Sequence, residues 1–306
     1  MAITRVKNRS NISALDLTKI VKWAYASSGG TITSFVADDS NFRNHVGKTY
    51  RVHTFDTAGV HSMFFDTPGL VDVLVIAGGG QGGGAADNWA GGGGGAGGVV
   101  LEYEQYVPAG ATTIIVGDGG ARGYNTNNNG QDSSFFQFQP KGGGAGGTNS
   151  GPGKSGGSGG GGVGGPGGSS SRRGRRGSFV PARLDSIVAG GGGGSKKAAR
   201  LVKNVNADPP DGGDGLFVAF KDNIPTYYAG GGVGGSRGAY ASRAPVGGLG
   251  GGAGLGGTYG GYYEGADATY FGGGGSGAGK PGTSGGDYVG GAGYRGLVIV
   301  RYVVED

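Results

Sequence analysis

No cysteine occurs anywhere in the chain, so neither a disulfide nor a thiolate metal site can hold it together. Long apolar runs are missing as well: no stretch of about 18 apolar residues occurs. Met1-Ala2-Ile3-Thr4-Arg5-Val6-Lys7 lacks the apolar centre of a signal peptide. The expectation is a protein made in a cytoplasm and carrying no export signal of its own. Proline is scarce, at 11 residues, and no Gly-X-Y period is sustained, which excludes a collagen triple helix. Ordinary hydrophobic residues make up only 35%, so a conventional core is confined to the strand-like parts. The formal net charge of +5 is a mild excess that matters only where it is concentrated.

Glycine fills the gap, with 81 residues in 306. At one junction Val71-Asp72-Val73-Leu74-Val75-Ile76-Ala77 runs straight into Gly78-Gly79-Gly80-Gln81-Gly82-Gly83-Gly84, followed shortly by Gly91-Gly92-Gly93-Gly94-Gly95-Ala96-Gly97-Gly98. The β-branched part reads as a buried strand. The glycine part has no side chains to bury. Either it stays disordered, the compositional expectation for such sequence, or it forms extended three-residue polyglycine II helices that lie against one another. Such a helix has no internal hydrogen bonds. Only glycine lets backbones approach closely enough for its outward N–H and C=O groups to pair between neighbours. One run gains nothing alone, but glycine blocks recur at 142–147, 156–168, 190–194, 230–235, 247–257, 272–277 and 285–293. A bundle is the ordered reading.

Around these blocks the pattern is mainly β. Thr31–Val36, Lys48–Phe55, Ser62–Phe65, Val71–Ala77, Val99–Tyr103, Thr112–Gly117, Ser178–Val180, Leu216–Phe220 and Gly296–Val303 are short, β-branched or aromatic, and bounded by turn formers. They predict an antiparallel β framework carrying the polyglycine II bundle, with little α-helix. The closing strand is expected to return to the early sheet, because alone it would expose an apolar face and an open edge. The one plausible helix is Ser13–Ala24, with Leu17, Ile20, Val21 and Ala24 on one face. The expected organisation is an attachment arm at 1–28, bearing Leu17, Ile20, Val21 and Trp23. A β-rich framework with the first glycine runs follows at 29–138, then a glycine bundle with variable loops at 139–293 and a returning strand at 294–306. The bland reading of the arm is a loosely packed terminus.

The order of Gly29-Gly30-Thr31, Tyr50-Arg51-Val52-His53-Thr54-Phe55, Val73–Gly80, Gly93–Val99, Ile114–Gly120 and Gly296–Tyr302 resembles the glycine-rich domain of bacteriophage tail and virion structural proteins. The likeness covers about residues 29–306. The bundle is also similar in architecture to that of glycine-rich phage tail-tip adhesins, in which loops between the runs touch the host receptor. The resemblance implies a virion location after synthesis in the host cytoplasm. It also implies other virion proteins as partners through the N-terminal arm, and a host-surface glycan or outer-membrane protein as the loop partner. It leaves a homotrimer open.

Catalytic motifs do not survive inspection. G-x-G-x-x-G patterns arise by chance in so much glycine. Gly47-Lys48-Thr49 ends like a phosphate loop, but Phe42 stands where its glycine should be. Asn125-Thr126-Asn127-Asn128-Asn129-Gly130 begins like a calcium loop, but Phe136 replaces the bidentate glutamate, and the stretch reads as a turn. The evenly spaced His45, His53 and His61 invite a metal reading, yet Asp56 and Asp66 beside them sit where strand ends put acids anyway. No catalytic residue, no metal site and no cofactor is expected, and the chain is read as no enzyme.

Two features suit contact with partners. Arg172, Arg173, Arg175 and Arg176, followed by Arg183, Lys196, Lys197, Arg200 and Lys203, concentrate the positive charge. Arginine forks pair with anionic groups, such as those of a surface glycan or an acidic subunit; the bland reading is a solvated loop. The Arg-Gly tract is too brief to favour nucleic acid. Tyr124, Tyr227, Tyr228, Tyr240, Tyr259, Tyr262, Tyr263 and Tyr270 interleave with glycine and could recognise sugar or protein, or simply shield the ends of the runs. Trp89, between two runs, reads as an exposed or interfacial loop tip. The leading expectation is a tail-fibre or tail-tip component that presents loops for host attachment. The alternative is a purely structural virion protein of the capsid surface, neck or baseplate. An ice-binding bundle would need a flat array of small side chains, which bulky Tyr and Arg interrupt.

Overall fold

A computed structural model describes residues 22–38, 45–85, 89–124, 126–148, 151–163, 167–170, 189–199, 211–236, 245–254, 264–279 and 287–304. The described residues contain no helix. Their strands are β1 (Tyr25–Ser28), β2 (Thr31–Val36), β3 (Thr49–Phe55), β4 (Gly59–Thr67), β5 (Gly69–Ile76), β6 (Val99–Val107), β7 (Gly110–Val116), β8 (Ser134–Phe135), β9 (Leu216–Val218), β10 (Thr226–Tyr228) and β11 (Leu297–Val304). All of them pair antiparallel.

Five strands form one sheet in the order β2-β3-β11-β5-β6, and four form a second in the order β1-β4-β7-β8. The second sheet shows the one-sided pattern. On β7, Thr112, Ile114 and Val116 are buried while Ala111, Thr113 and Ile115 face out. The five-stranded sheet is covered on both faces. Val71, Val73, Val75, Val298, Val300 and Tyr302 pack toward the second sheet with Met63, Phe65, Ile114 and Phe135. Leu74, Ile76, Leu297, Ile299 and Val303 pack on the other side with Tyr50, Leu216, Phe220 and Tyr228. That double burial is why β5 and β11 read as continuous apolar runs and not as alternating ones. The closing strand does more than return: it lies between β3 and β5, with Val300 opposite His53 on one side and Val73 on the other.

The N-terminal expectation is corrected. Lys22 to Ala24 is extended, not helical: Trp23 bridges Leu70, and Ala24 N donates to Leu70 O at 3.0 Å. Ala24 and Ala26 are core residues, and Tyr302 Oη both accepts from Ala26 N and meets Ala26 O, each at 3.0 Å. Small side chains fit here because β1 lies close against the sandwich, so residues 22–28 belong to the framework and not to a separate arm. Leu17, Ile20 and Val21 lie outside the described residues. β9 and β10 pair as a hairpin on the five-stranded sheet, while the early glycine runs sit inside the bundle.

The glycine runs carry neither strand nor helix assignment, yet they are buried and bonded to one another. Successive donors of the run 91–98 turn through three neighbours and then repeat. Gly91, Gly94 and Gly97 donate to Ala278, Gly275 and Gly272; Gly92 and Gly95 to Gly147 and Gly144; Gly93 and Ala96 to Gly190 and Gly193. Three further runs donate back to it, through Gly80 and Gly83, Ser158 and Gly161, and Gly232 and Gly235. The central run is thus ringed by other runs, and this is how its buried backbone is paired. A Cβ on Gly94 would come within 2.7 Å of Gln81 O and closer still to Gly80 O. No glycine of this run has a positive φ, so glycine is required here for its missing side chain and not for its freedom of rotation.

Candidate attachment site

The lattice has two ends. At the framework end Ala77 N bonds Gly98 O, Gly97 N bonds Gly272 O, Gly272 N bonds Arg295 O, Ala229 N bonds Phe271 O, and Ser195 N bonds Ala229 O. At the far end Gly91 N bonds Ala278 O, Gly235 N bonds Gly91 O, Ala189 N bonds Gly235 O, Gly92 N bonds Gly147 O, and Ala85 N bonds Tyr288 O. Ala85, Gly92, Ala189, Gly235 and Ala278 thus lie together at the end of the lattice away from the framework. At the opposite end of β5, Leu70 N donates to Lys22 O at 3.0 Å.

Trp89 lies at the far end but is half-buried, not a free-standing tip. It packs on a small cluster of Ala90, Val163 and Ala189, where three chain segments meet. Tyr124 is half-buried, next to the loop that bridges Gly123 to Gly290. Tyr227, Tyr228 and Tyr270 belong to the framework end. Tyr228 is a core residue at 3% exposure, and burial pushes its hydroxyl well above the usual tyrosine range. It packs there because β10 turns that side chain onto the five-stranded sheet, so its role as a surface contact is withdrawn. Tyr227 points the other way and rests on Phe217, with ring centroids 4.3 Å apart. Tyr270 is exposed beside Tyr228 and Phe271, at 5.8 and 5.1 Å. Trp23 is wedged edge-on against His45 and Tyr50, at 5.3 and 6.1 Å, and serves the framework. Arg172, Arg173, Arg175, Arg176, Tyr240, Tyr259, Tyr262 and Tyr263 lie outside the described residues.

Two organising residues escaped sequence reasoning. Gln81 interrupts a glycine run and is fully buried. Its Nε2 donates to Gly123 O at 2.6 Å, and its Oε1 accepts from Asn128 N and Thr126 Oγ1, both at 3.1 Å. The one long polar side chain inside an oligoglycine stretch was the available signal. Arg122 ties the segment after β7 to residues 264–267 by pairing with Glu264 at 3.2 Å and Asp267 at 3.3 Å and by donating to Gly265 O.

The histidines do not converge. His53 is buried, with Nδ1 2.7 Å from Gly29 O and Nε2 3.1 Å from Tyr302 Oη, and burial holds its pKa below the ordinary value. His61 meets Thr57 O at 2.7 Å, and His45 lies beside Trp23. Among the described residues no three His, Cys, Asp or Glu side chains are placed to share a metal ion. The turn at 126–130 is used internally: Asn129 Oδ1 accepts from Ala145 N at 2.9 Å, and Asn128 Nδ2 donates to Ala121 O at 3.0 Å.

A search of curated proteins found no match to the chain. A family model described as a glycine-rich domain matches residues 57–303, most of the framework and the whole of the lattice. The chain belongs to the glycine-rich domain family.

Proposed function

We propose that the protein is a non-enzymatic structural component of a bacteriophage virion, a tail-fibre or tail-tip protein whose glycine bundle presents loops to the host surface. The observation that carries this reading is the depth of the bonded lattice, whose runs carry Ala85, Ala189, Gly235 and Ala278 to an end remote from the β framework. In this reading the runs are polyglycine II helices, supported by the rotation of donors through three neighbours with a three-residue repeat. At a rise of about 3.1 Å per residue, a run of seven holds its connection roughly 20 Å beyond the sheet. A lattice bonded through its backbone leaves the connections free to vary in sequence.

The N-terminal segment would join the particle, since Lys22, which follows it in sequence, lies at the end of β5 opposite the point where the runs depart. Attachment and presentation are then separated along the molecule. The partners in this reading are other virion proteins on one side and a host-surface glycan or outer-membrane protein on the other. A purely structural virion role draws support from Tyr228 and Trp23, which are taken up by the framework. Adsorption of phage to host cells separates the two readings. Exchanging the connections after Ala85, Ser236 and Gly279 for glycine-serine loops of equal length should abolish adsorption while particles still assemble. Unchanged adsorption and host range would leave only the structural role.

A further inference from the structure

Run-to-run bonding has no built-in stop. A run at the outside of the lattice presents a donor every third residue to whatever lies beside it, as an edge strand does. Two outer positions share one solution. Gly142 N and Ala145 N, three residues apart, donate to Asp132 Oδ1 and Asn129 Oδ1, each at 2.9 Å. Val246 N and Leu249 N, again three apart, donate to Asp211 Oδ1 at 2.8 Å and Asp214 Oδ1 at 3.2 Å. In both cases acceptors three residues apart in sequence, Asn129-Gly-Gln-Asp132 and Asp211-Gly-Gly-Asp214, meet donors with the same spacing. Elsewhere in the lattice those places are filled by backbone carbonyls, as where Gly144 and Gly147 donate to Ser158 O and Gly161 O. The second oxygen of two of these carboxylates is held by a lysine: Asp132 Oδ2 by Lys141 at 2.6 Å and Asp214 Oδ2 by Lys197 at 3.0 Å.

We propose that Asn129, Asp132, Asp211 and Asp214 terminate the glycine lattice. Their side-chain oxygens occupy the places of the carbonyls that one more run would bring. The outer runs therefore cannot recruit the glycine runs of a second copy of this chain. A side chain can end the lattice where a backbone carbonyl would extend it, because the side-chain acceptor carries no new donor row behind it. Hydrogen bonding is the operative property and charge is not, since Asn129 does the same work as Asp132.

The test uses the full chain and sedimentation velocity across a concentration series. D211A/D214A is expected to lose the wild-type boundary in favour of a faster one that grows with concentration, with slowed amide exchange at Val246 and Leu249 in the associated fraction. D211N/D214N retains the acceptors and removes the charge, so it is expected to sediment as wild type. Should the alanine pair lose its fold, N129A/D132A poses the same question at Gly142 and Ala145. Wild-type sedimentation of the folded alanine variants, with fast exchange at the uncapped amides, would overturn the proposal. So would association of the asparagine pair equal to that of the alanine pair, which would make charge the cause.

Discussion

Arg301 Nε lies 3.1 Å from Asp72 Oδ2, with 2% and 3% of the two side chains exposed, at the centre of the sheet where β11 meets β5. The pair is fully engaged. Arg301 donates to Phe220 O at 3.0 Å and its guanidinium sits 4.1 Å from the Phe220 ring centroid and 4.8 Å from that of Tyr50. Asp72 Oδ1 accepts from Glu104 N at 3.0 Å, in a bulge where Glu104 adopts φ 52°. The pair thus fastens the β9–β10 hairpin and the β6 bulge to one point.

Removing one partner leaves a buried charge without compensation. Arg301→Ala and Asp72→Ala should each lower stability by about 3–5 kcal/mol, whereas Arg301→Met with Asp72→Leu should cost far less. Urea unfolding of the three variants checks this, and equal losses in all three would mean that packing and not charge pairing dominates.

Glycine substitutions should divide by position. Gly94→Val and Gly144→Val drive a side chain into the carbonyls of neighbouring runs, and should cost about 3 kcal/mol or more. Gly254→Ala has only Gly247 N within 4 Å, at 3.6 Å, and should stay within about 0.5 kcal/mol of wild type. Tolerance of valine at both lattice positions would identify the runs as loose linkers.

Stability should fall on mild acidification through His53. Its folded pKa lies below the ordinary 6.5 because burial disfavours the imidazolium, so the unfolded chain binds the proton more tightly. The contribution is complete above about 6.5 and is lost as pH falls from there toward the folded value. His53→Gln should flatten the urea midpoint between pH 7.5 and 5, and an unchanged slope in that variant would assign the effect to other groups.

The β framework was legible because its strands keep the period and the boundaries of their type, and β11 declared its burial by being apolar at nearly every position. The helical face read at Leu17, Ile20, Val21 and Ala24 misplaced Ala24, since a short apolar periodicity cannot show that Ala24 and Ala26 are small in order to fit beneath Tyr302. The far end was only partly legible. Glycine spacing revealed the runs, but which carbonyl each run meets depends on three-dimensional rotation and leaves no trace in any one block. Gln81 and the paired acceptors at 129, 132, 211 and 214 are visible as interruptions of glycine, and become meaningful only when their donors across the chain are known.

Immunogold labelling of this chain on intact phage particles tests the central claim most directly. The account predicts label confined to fibre or tail tips; label spread over the capsid or at the neck would contradict the attachment role, and particles without label would contradict the virion assignment itself.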